Sequence, residues 1–230
     1  MVYQDKNLEY TNAKEYDRRG ENSILEKYVL SLWQPFLKKI IGNLSVEKVV
    51  ADLGCGTCEY TQTAKNAKKI YAIDISSEML KVCREKMKDF SQVEFINSPV
   101  SDINLPLVDL VIAIGVWEYI DPVILSNKIK AITHEESKVM VVFPNIYNDL
   151  NWMRSLANRR KVALRPGFVR KIFKKDFKLL ESASFGAVSW VPRPLQFLAL
   201  PVWRFCDFIW SPFQKFLPLG INVYYLFERK

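Results

Sequence analysis

Val49-Val50-Ala51-Asp52-Leu53-Gly54-Cys55-Gly56-Thr57-Cys58-Glu59 joins an apolar run to a pair of closely spaced glycines. Val49 to Ala51 have strand character and run through Asp52-Leu53 into Gly54-Cys55-Gly56-Thr57, with a helix-compatible segment starting near Cys58. A strand, a tight glycine turn and a helix N-terminus make a nucleotide-type pocket. A side chain at Gly54 or Gly56 would occupy the space of a ligand lying against the backbone, and such turns often need positive φ. The amides of the following helix then face that ligand.

Working outward, strands at about 48–53, Lys69 to Asp74, Val93 to Asn97, Val108 to Ile114 and Lys138 to Phe143 alternate with helices at about 58–67, Ser77 to Lys88 and Pro122 to Thr133. Such alternation implies an α/β, doubly wound, Rossmann-like parallel sheet with helices on both faces and right-handed crossovers. Ligands of such sheets bind at the carboxyl ends of the strands. Asp74 closes the second strand there, twenty residues after Gly54, where a carboxylate can accept hydrogen bonds from both hydroxyls of a ribose. Ahead of the core, the apolar pairs Ile24/Leu25, Tyr28/Val29, Leu32/Trp33, Phe36/Leu37 and Ile40/Ile41 predict a helix capped by Asn22 or Ser23, bent at Pro35 and stopped by Gly42.

The glycine pattern separates two kinds of ligand. In Gly54-x-Gly56-x-x-Glu59 the third glycine of a nicotinamide fingerprint is replaced by a carboxylate that would stand near the pyrophosphate, which argues against NAD. Asp52-Leu53-Gly54-Cys55-Gly56-Thr57, with Asp74-Ile75-Ser76, Met79-Leu80, Leu105-Pro106, Val108-Asp109-Leu110-Val111-Ile112 and Gly115-Val116-Trp117-Glu118-Tyr119-Ile120, resembles the class I S-adenosylmethionine-dependent methyltransferases over roughly residues 46–145.

The resemblance implies a seven-stranded, mostly parallel sheet with an antiparallel last strand. It also implies S-adenosyl-L-methionine as cofactor. Asp52, Gly54, Cys55 and Gly56 would border its methionine part, Asp74 would hold the ribose, and Ile75 and Met79 would flank the adenine. Val100, Ser101 and Asp102 would meet the adenine edge, and Ile114, Gly115 and Val116 would form the floor beneath the sulfonium. Tyr16 would close over the methionine end or pack in an N-terminal helix. Cys58 stands where the family often has a third glycine, which helical φ/ψ would tolerate. Tyr119 stands where many relatives show His, and His134, the single histidine, lies at the far end of a helix, so Glu118, Tyr119 and Tyr16 are the candidates for a base. No metal is implied, since the Cys55-x-x-Cys58 pair has no second ligand set.

The chain has 230 residues, 49% of them hydrophobic, enough for one domain with a sizeable core. It divides into a helical cap at 1–45, the cofactor core at 46–145 and a C-terminal part of the same domain at 146–230. Four cysteines, two of them flanking the glycine turn, are too few and too oddly placed for a disulfide framework. With a polar N-terminus they point to the cytoplasm.

The net charge of +8 is concentrated: residues 148–178 hold ten Lys and Arg against Asp149 and Asp176, leaving 23 basic and 23 acidic residues elsewhere. Attraction to an anionic partner and a plain solvated surface are both consistent with that. Lys175 to Phe185 resembles the helix before the sixth strand, and Gly220 to Glu228 the seventh strand. Between them, 192–219 carries five of the eleven prolines and Phe197, Trp203, Phe205, Phe208, Trp210, Phe213 and Phe216. It reads as a lid over an apolar substrate pocket, as a peripheral membrane contact helped by the basic segment, or as both. The expected function is methyl transfer to a small-molecule, lipid-linked or glycan-type acceptor, amphiphilic or anionic, at oxygen. An RNA methyltransferase using the basic segment, with Trp152, Phe168, Phe173 and Phe177 for base stacking, and a non-catalytic cofactor-binding module are the alternatives.

Overall fold

The five strand-forming runs before residue 145 and the two after it join one sheet in the order β3-β2-β1-β4-β5-β7-β6. The strands are β1 (Val49–Leu53), β2 (Lys69–Asp74), β3 (Val93–Asn97), β4 (Val108–Ile114), β5 (Thr133–Pro144), β6 (Phe177–Phe185) and β7 (Asn222–Arg229). The computed structural model describes residues 13–18, 23–148, 151–152, 163–186, 191–214 and 218–230. β1 to β5 pair in parallel, while β7 runs antiparallel to both β5 and β6. The chain order reverses at β1, between β2 and β4, and that switch point opens a crevice at the carboxyl ends.

Both faces of the sheet are covered, as expected of buried parallel strands. On one face α2 (Ile24–Leu44), α3 (Ser77–Lys86) and α6 (Gln196–Trp210) pack around Val50, Ile70, Leu110, Met140 and Tyr224. On the other, α4 (Pro122–Ala131) and α5 (Pro166–Phe173) pack around Ala51, Ile73, Val111, Val141 and Phe227. Successive residues of β1 thus alternate between the two cores, the period-2 pattern that locks its register. A short α1 (Ala13–Asp17) precedes α2, whose N-cap is Ser23, the Oγ accepting from Glu26 N at 3.3 Å. α2 runs through Gly42 to Leu44, because the stop is supplied at Ser45, whose N–H still reaches Ile41 O, rather than by the glycine.

Three expectations are corrected. The segment after the turn is no α-helix: it contains a single 3-10 turn over Thr61–Ala64. Lys175 to Phe185 is the sixth strand and not the helix before it; the helix is α5, with Pro166 at its start. A register shift between Leu179 and Glu181 breaks the alternation of β6, which is why its pattern imitates a helix. β5 begins at Thr133, before the expected Lys138, so His134 stands on a strand rather than at the end of a helix.

Candidate active site at the carboxyl ends of the strands

The turn after β1 is stitched to the end of β2. Gly54 N and Cys55 N both donate to Ile73 O, at 2.8 and 2.9 Å. Gly56 N donates to Asp74 Oδ2 and Ser76 N to Asp74 Oδ1, each at 2.8 Å. Asp74 is therefore the anchor of the turn, its carboxylate engaged by the amides of Ser76, Gly56 and Ile75 and still with acceptor capacity left. Burial raises its pKa, against the lowering effect of those amides.

The glycines of the site serve different ends. A Cβ on Gly54, which has φ 74°, would lie 2.9 Å from Cγ2 of Val116. Gly54 is thus demanded by the packing of the loop after β4. Gly56, with φ 54°, and Gly115, with φ 68°, face open space: a Cβ would meet only Tyr16 Cε1 at 4.0 Å in the first case and nothing within 4 Å in the second. Those two positions form a cradle that side chains would fill.

Cys58 has φ 62°, so the helical conformation expected of it is replaced by the left-handed one. Its N–H closes the turn on Cys55 O at 2.9 Å. It is bonded through sulfur to Cys83 on α3, twenty-five residues on, rather than grouped with Cys55. Four cysteines, too few for a disulfide framework, thus still supply one disulfide. Cys83 belongs to the buried stripe Met79, Leu80, Cys83, Met87, and helical spacing alone does not say what such a residue meets. Cys55 remains a buried thiol, and the three sulfurs lie within 4.8 Å of one another. Burial, then the nearby carboxylates of Asp52 and Asp74, push the Cys55 pKa well above the usual thiol value and keep it protonated at neutral pH.

Asp52 is buried at the end of β1 and accepts from Thr61 Oγ1 at 2.5 Å. Its pKa is pushed up to about 7, first by desolvation and then by the charge of Asp74, with the Thr61 bond opposing them. Glu59 pairs with Lys38 and, at 3.9 Å, with Lys86. Its charge is therefore balanced, and the case against a pyrophosphate passes to another feature: no α-helix N-terminus follows the turn to receive one. Lys86 also pairs with Asp17 at 2.7 Å, and Asp17 accepts from Thr57 Oγ1, so α1 is held over the turn.

These elements enclose a cavity of about 490 Å³. Tyr16, Asp52, Gly54, Cys55, Gly56, Ile114, Gly115, Glu118 and Tyr119 line it together. Asp74 stands behind the turn rather than on the wall, and Val116 lies under Gly54. Ile75 is exposed, Met79 and Val100 are buried, and Ser101 Oγ donates to Asp102 Oδ1 at 2.8 Å; none of these is on the cavity wall. His134 lies at the opposite end of the sheet. Its Nε2 is 3.3 Å from Oδ1 of Asp109, whose Oδ2 receives the first amide of β1, Val49 N, at 2.7 Å.

Sequence reasoning missed the other wall. Leu25, Val29, Leu30 and Trp33 of α2 line the cavity, with Ile221 and Asn222 from the start of β7. Doubled apolar positions along α2 were the available signal. The stripe is wide enough to face the cavity with Leu25 and Val29 while Tyr28 stacks on Trp203 of α6, ring centroids 6.1 Å apart.

Much of the basic segment, at 149–150 and 153–162, lies outside the described residues, and with it Arg154, Arg159, Arg160 and Lys161. Lys215 and Phe216 lie outside them too. The cations of α5 stand over the sheet face opposite to α6. Of the four aromatics proposed for base stacking, Phe173 and Phe177 are buried against each other, and Trp152 and Phe168 are exposed.

Residues 50–134 match the family model of a methyltransferase domain. No curated protein matches the chain. Among solved structures, the chain resembles magnesium protoporphyrin IX methyltransferase from Synechocystis PCC 6803 with bound S-adenosyl-l-homocysteine (14% identity, TM-score 0.65, 96% of each chain covered). It also resembles the N-methyltransferase NodS from Bradyrhizobium japonicum WM9 in complex with S-adenosyl-l-homocysteine (12% identity, TM-score 0.62, 95% of this chain and 98% of that one). A third is an S-adenosylmethionine-dependent methyltransferase from Mesorhizobium loti (14% identity, TM-score 0.61, 85% and 96%). At such identities the likeness is one of fold, and the matched stretch contains both the glycine turn and the loop after β4. Residues 50–134 form a methyltransferase domain, in a fold that the chain shares with S-adenosylmethionine-dependent methyltransferases.

Proposed function

We propose that the protein transfers a methyl group from S-adenosylmethionine to a small-molecule acceptor of amphiphilic or anionic character, lipid-linked or glycan-type, at oxygen. One observation carries this reading: a single cavity joins the open glycine cradle of Gly56 and Gly115 to an apolar wall of Leu25, Val29, Leu30 and Trp33. The cradle fits the cofactor, since Cβ atoms there would fill its space. Asp52, Gly54, Cys55 and Gly56 would border the methionine part and Asp74 the ribose, through the acceptor capacity its amide bonds leave. Ile75 and Met79 would flank the adenine, Val100, Ser101 and Asp102 its edge, and Ile114, Gly115 and Val116 the floor.

When bound, the cofactor supplies an electrophilic methyl group on sulfur. The protein then contributes chiefly position, since in-line displacement is governed by holding the reacting atoms in near-attack geometry. The α2 wall excludes water and orients the apolar part of the acceptor. Glu118, on the cavity wall, is the group to take the proton from an acceptor hydroxyl, with Tyr119 and Tyr16 flanking the same space. An RNA acceptor is less favoured, because two of the four stacking aromatics, Phe173 and Phe177, are committed to the core, which leaves only Trp152 and Phe168 exposed.

The test is transfer of labelled methyl from S-adenosylmethionine into separated lipid, soluble-metabolite and RNA fractions of a cell extract. Label in the lipid or soluble fraction is expected. Label confined to RNA would overturn the acceptor class. With an acceptor in hand, Glu118→Gln should lower kcat by ~10²-fold or more at unchanged cofactor affinity.

A further inference from the structure

Helix α6 presents two apolar faces. Trp203 is only 3% exposed and stacks on Tyr28, Tyr28 Oη donates to Asp207 Oδ2 at 2.6 Å, and Gln196 Oε1 accepts from Leu25 N at 3.2 Å; these contacts dock the helix on α2. An ordinary surface helix would turn polar residues outward on the other side. Here Phe197, Leu198, Val202, Phe205, Phe208 and Ile209 point out, with Phe205 63% and Phe208 78% exposed. At 3.6 residues per turn they cover an arc of roughly 140° opposite the docked side. Phe213 extends the exposed surface past the helix end.

We propose that this outward face lies in the surface of a bilayer rich in anionic headgroups. Two observations favour a lipid occupant. The exposed side of α6 holds one ionisable cation, Arg204, placed to meet an anionic headgroup, and no exposed anion, since Asp207 is turned to Tyr28. The helix has 15 residues, about 22 Å at 1.5 Å rise, short of the ~30 Å hydrocarbon core, and no helix among the described residues is long and apolar enough to cross a membrane. A short helix with aromatic and aliphatic side chains outward is built to lie at the headgroup boundary. The docking also has a consequence for the cavity. α6 packs on the same turns of α2, Leu25 to Val29, that line it, so the apolar wall of the cavity stands next to the membrane-facing helix. Docking does not depend on methyl transfer, although it would bring a lipid-linked acceptor within reach.

The test is co-sedimentation of the full chain with vesicles of phosphatidylcholine alone and of phosphatidylcholine mixed with phosphatidylglycerol. The parent should bind the mixed vesicles. Phe205→Ser/Phe208→Ser should lower the partition coefficient at least ~10-fold, and Arg204→Gln should lower it only on the mixed vesicles. Cofactor affinity, measured on each form in parallel, should not change; if the double variant fails to fold, Phe208→Ser alone, at the most exposed position, gives the same reading. No sedimentation of the parent, or equal binding by parent and variants, overturns the proposal. So does a parent dimer in light scattering that the variant dissolves without any vesicle binding, which would make the face an interface between copies.

Discussion

Asp52 offers a test in which the structure sets both sign and size. Its carboxyl is buried and its pKa is pushed up to about 7, so the folded protein without cofactor holds a proton there that an unfolded chain would have lost near pH 4. A positive charge bound beside it favours the ionised form. In the proposed site the sulfonium cofactor lies along this residue, so binding should expel the proton. For a group of pKa about 7, competition with the proton weakens the apparent affinity by about an order of magnitude or more between pH 7.5 and 5.5, or roughly 2 kcal/mol. Calorimetric titrations at the two pH values, repeated in buffers of different ionisation enthalpy, read both the affinity and the proton released. Asp52→Asn should flatten the pH dependence, whereas Asp74→Asn should keep a slope due to Asp52, reduced because the charge of Asp74 helps to raise the Asp52 pKa. An affinity ratio below about threefold, or the same slope in Asp52→Asn, would refute the reasoning. The same proton sets a stability trend. The native state binds it more tightly than the unfolded chain, so stability from this site is present below about pH 4 and is lost as pH rises through about 7, by about 4 kcal/mol in all.

Other outcomes follow from particular contacts. Gly54→Ala combines a left-handed φ of 74° with a 2.9 Å approach to Val116, and should cost ~2–4 kcal/mol in urea unfolding; adding Val116→Ala should recover the steric part and leave ~1–2 kcal/mol of backbone strain. Lys86→Ala removes the 2.7 Å pair to Asp17 that holds α1 over the turn, and should weaken cofactor binding by ~3–10-fold in calorimetry with little change in thermal midpoint. Tyr28→Phe deletes the 2.6 Å bond to Asp207 between α2 and α6 and should cost ~1–2 kcal/mol in chemical denaturation.

What the sequence made legible is its local and periodic part. The parallel half of the sheet could be read because each strand is an apolar run ended by a polar or glycine signal, as in Val49 to Gly54 and Lys69 to Asp74. The glycine turn could be read because Gly54 combines a positive φ with a close approach to Val116 that only glycine allows. Contacts between distant segments could not. Cys83 meets Cys58 only because α3 lies beside the turn, and β6 was mistaken for a helix because a bulge shifts its side-chain alternation. The α2 wall escaped notice since an apolar stripe does not say whether it faces a core or a cavity. Residues 192–219 were distinguished by composition, but that two apolar faces would lie on opposite sides of one helix depends on how Trp203 and Gln196 dock.

In the proposed function the open cradle at Gly56 and Gly115 receives S-adenosylmethionine. Titration of the intact protein with that cofactor and with its demethylated product, at a pH above the Asp52 pKa, is the direct test. Saturable one-to-one binding of both is expected, weakened when Asp74 is replaced by Ala. Failure of either molecule to bind, or binding of NAD in their place, would overturn it.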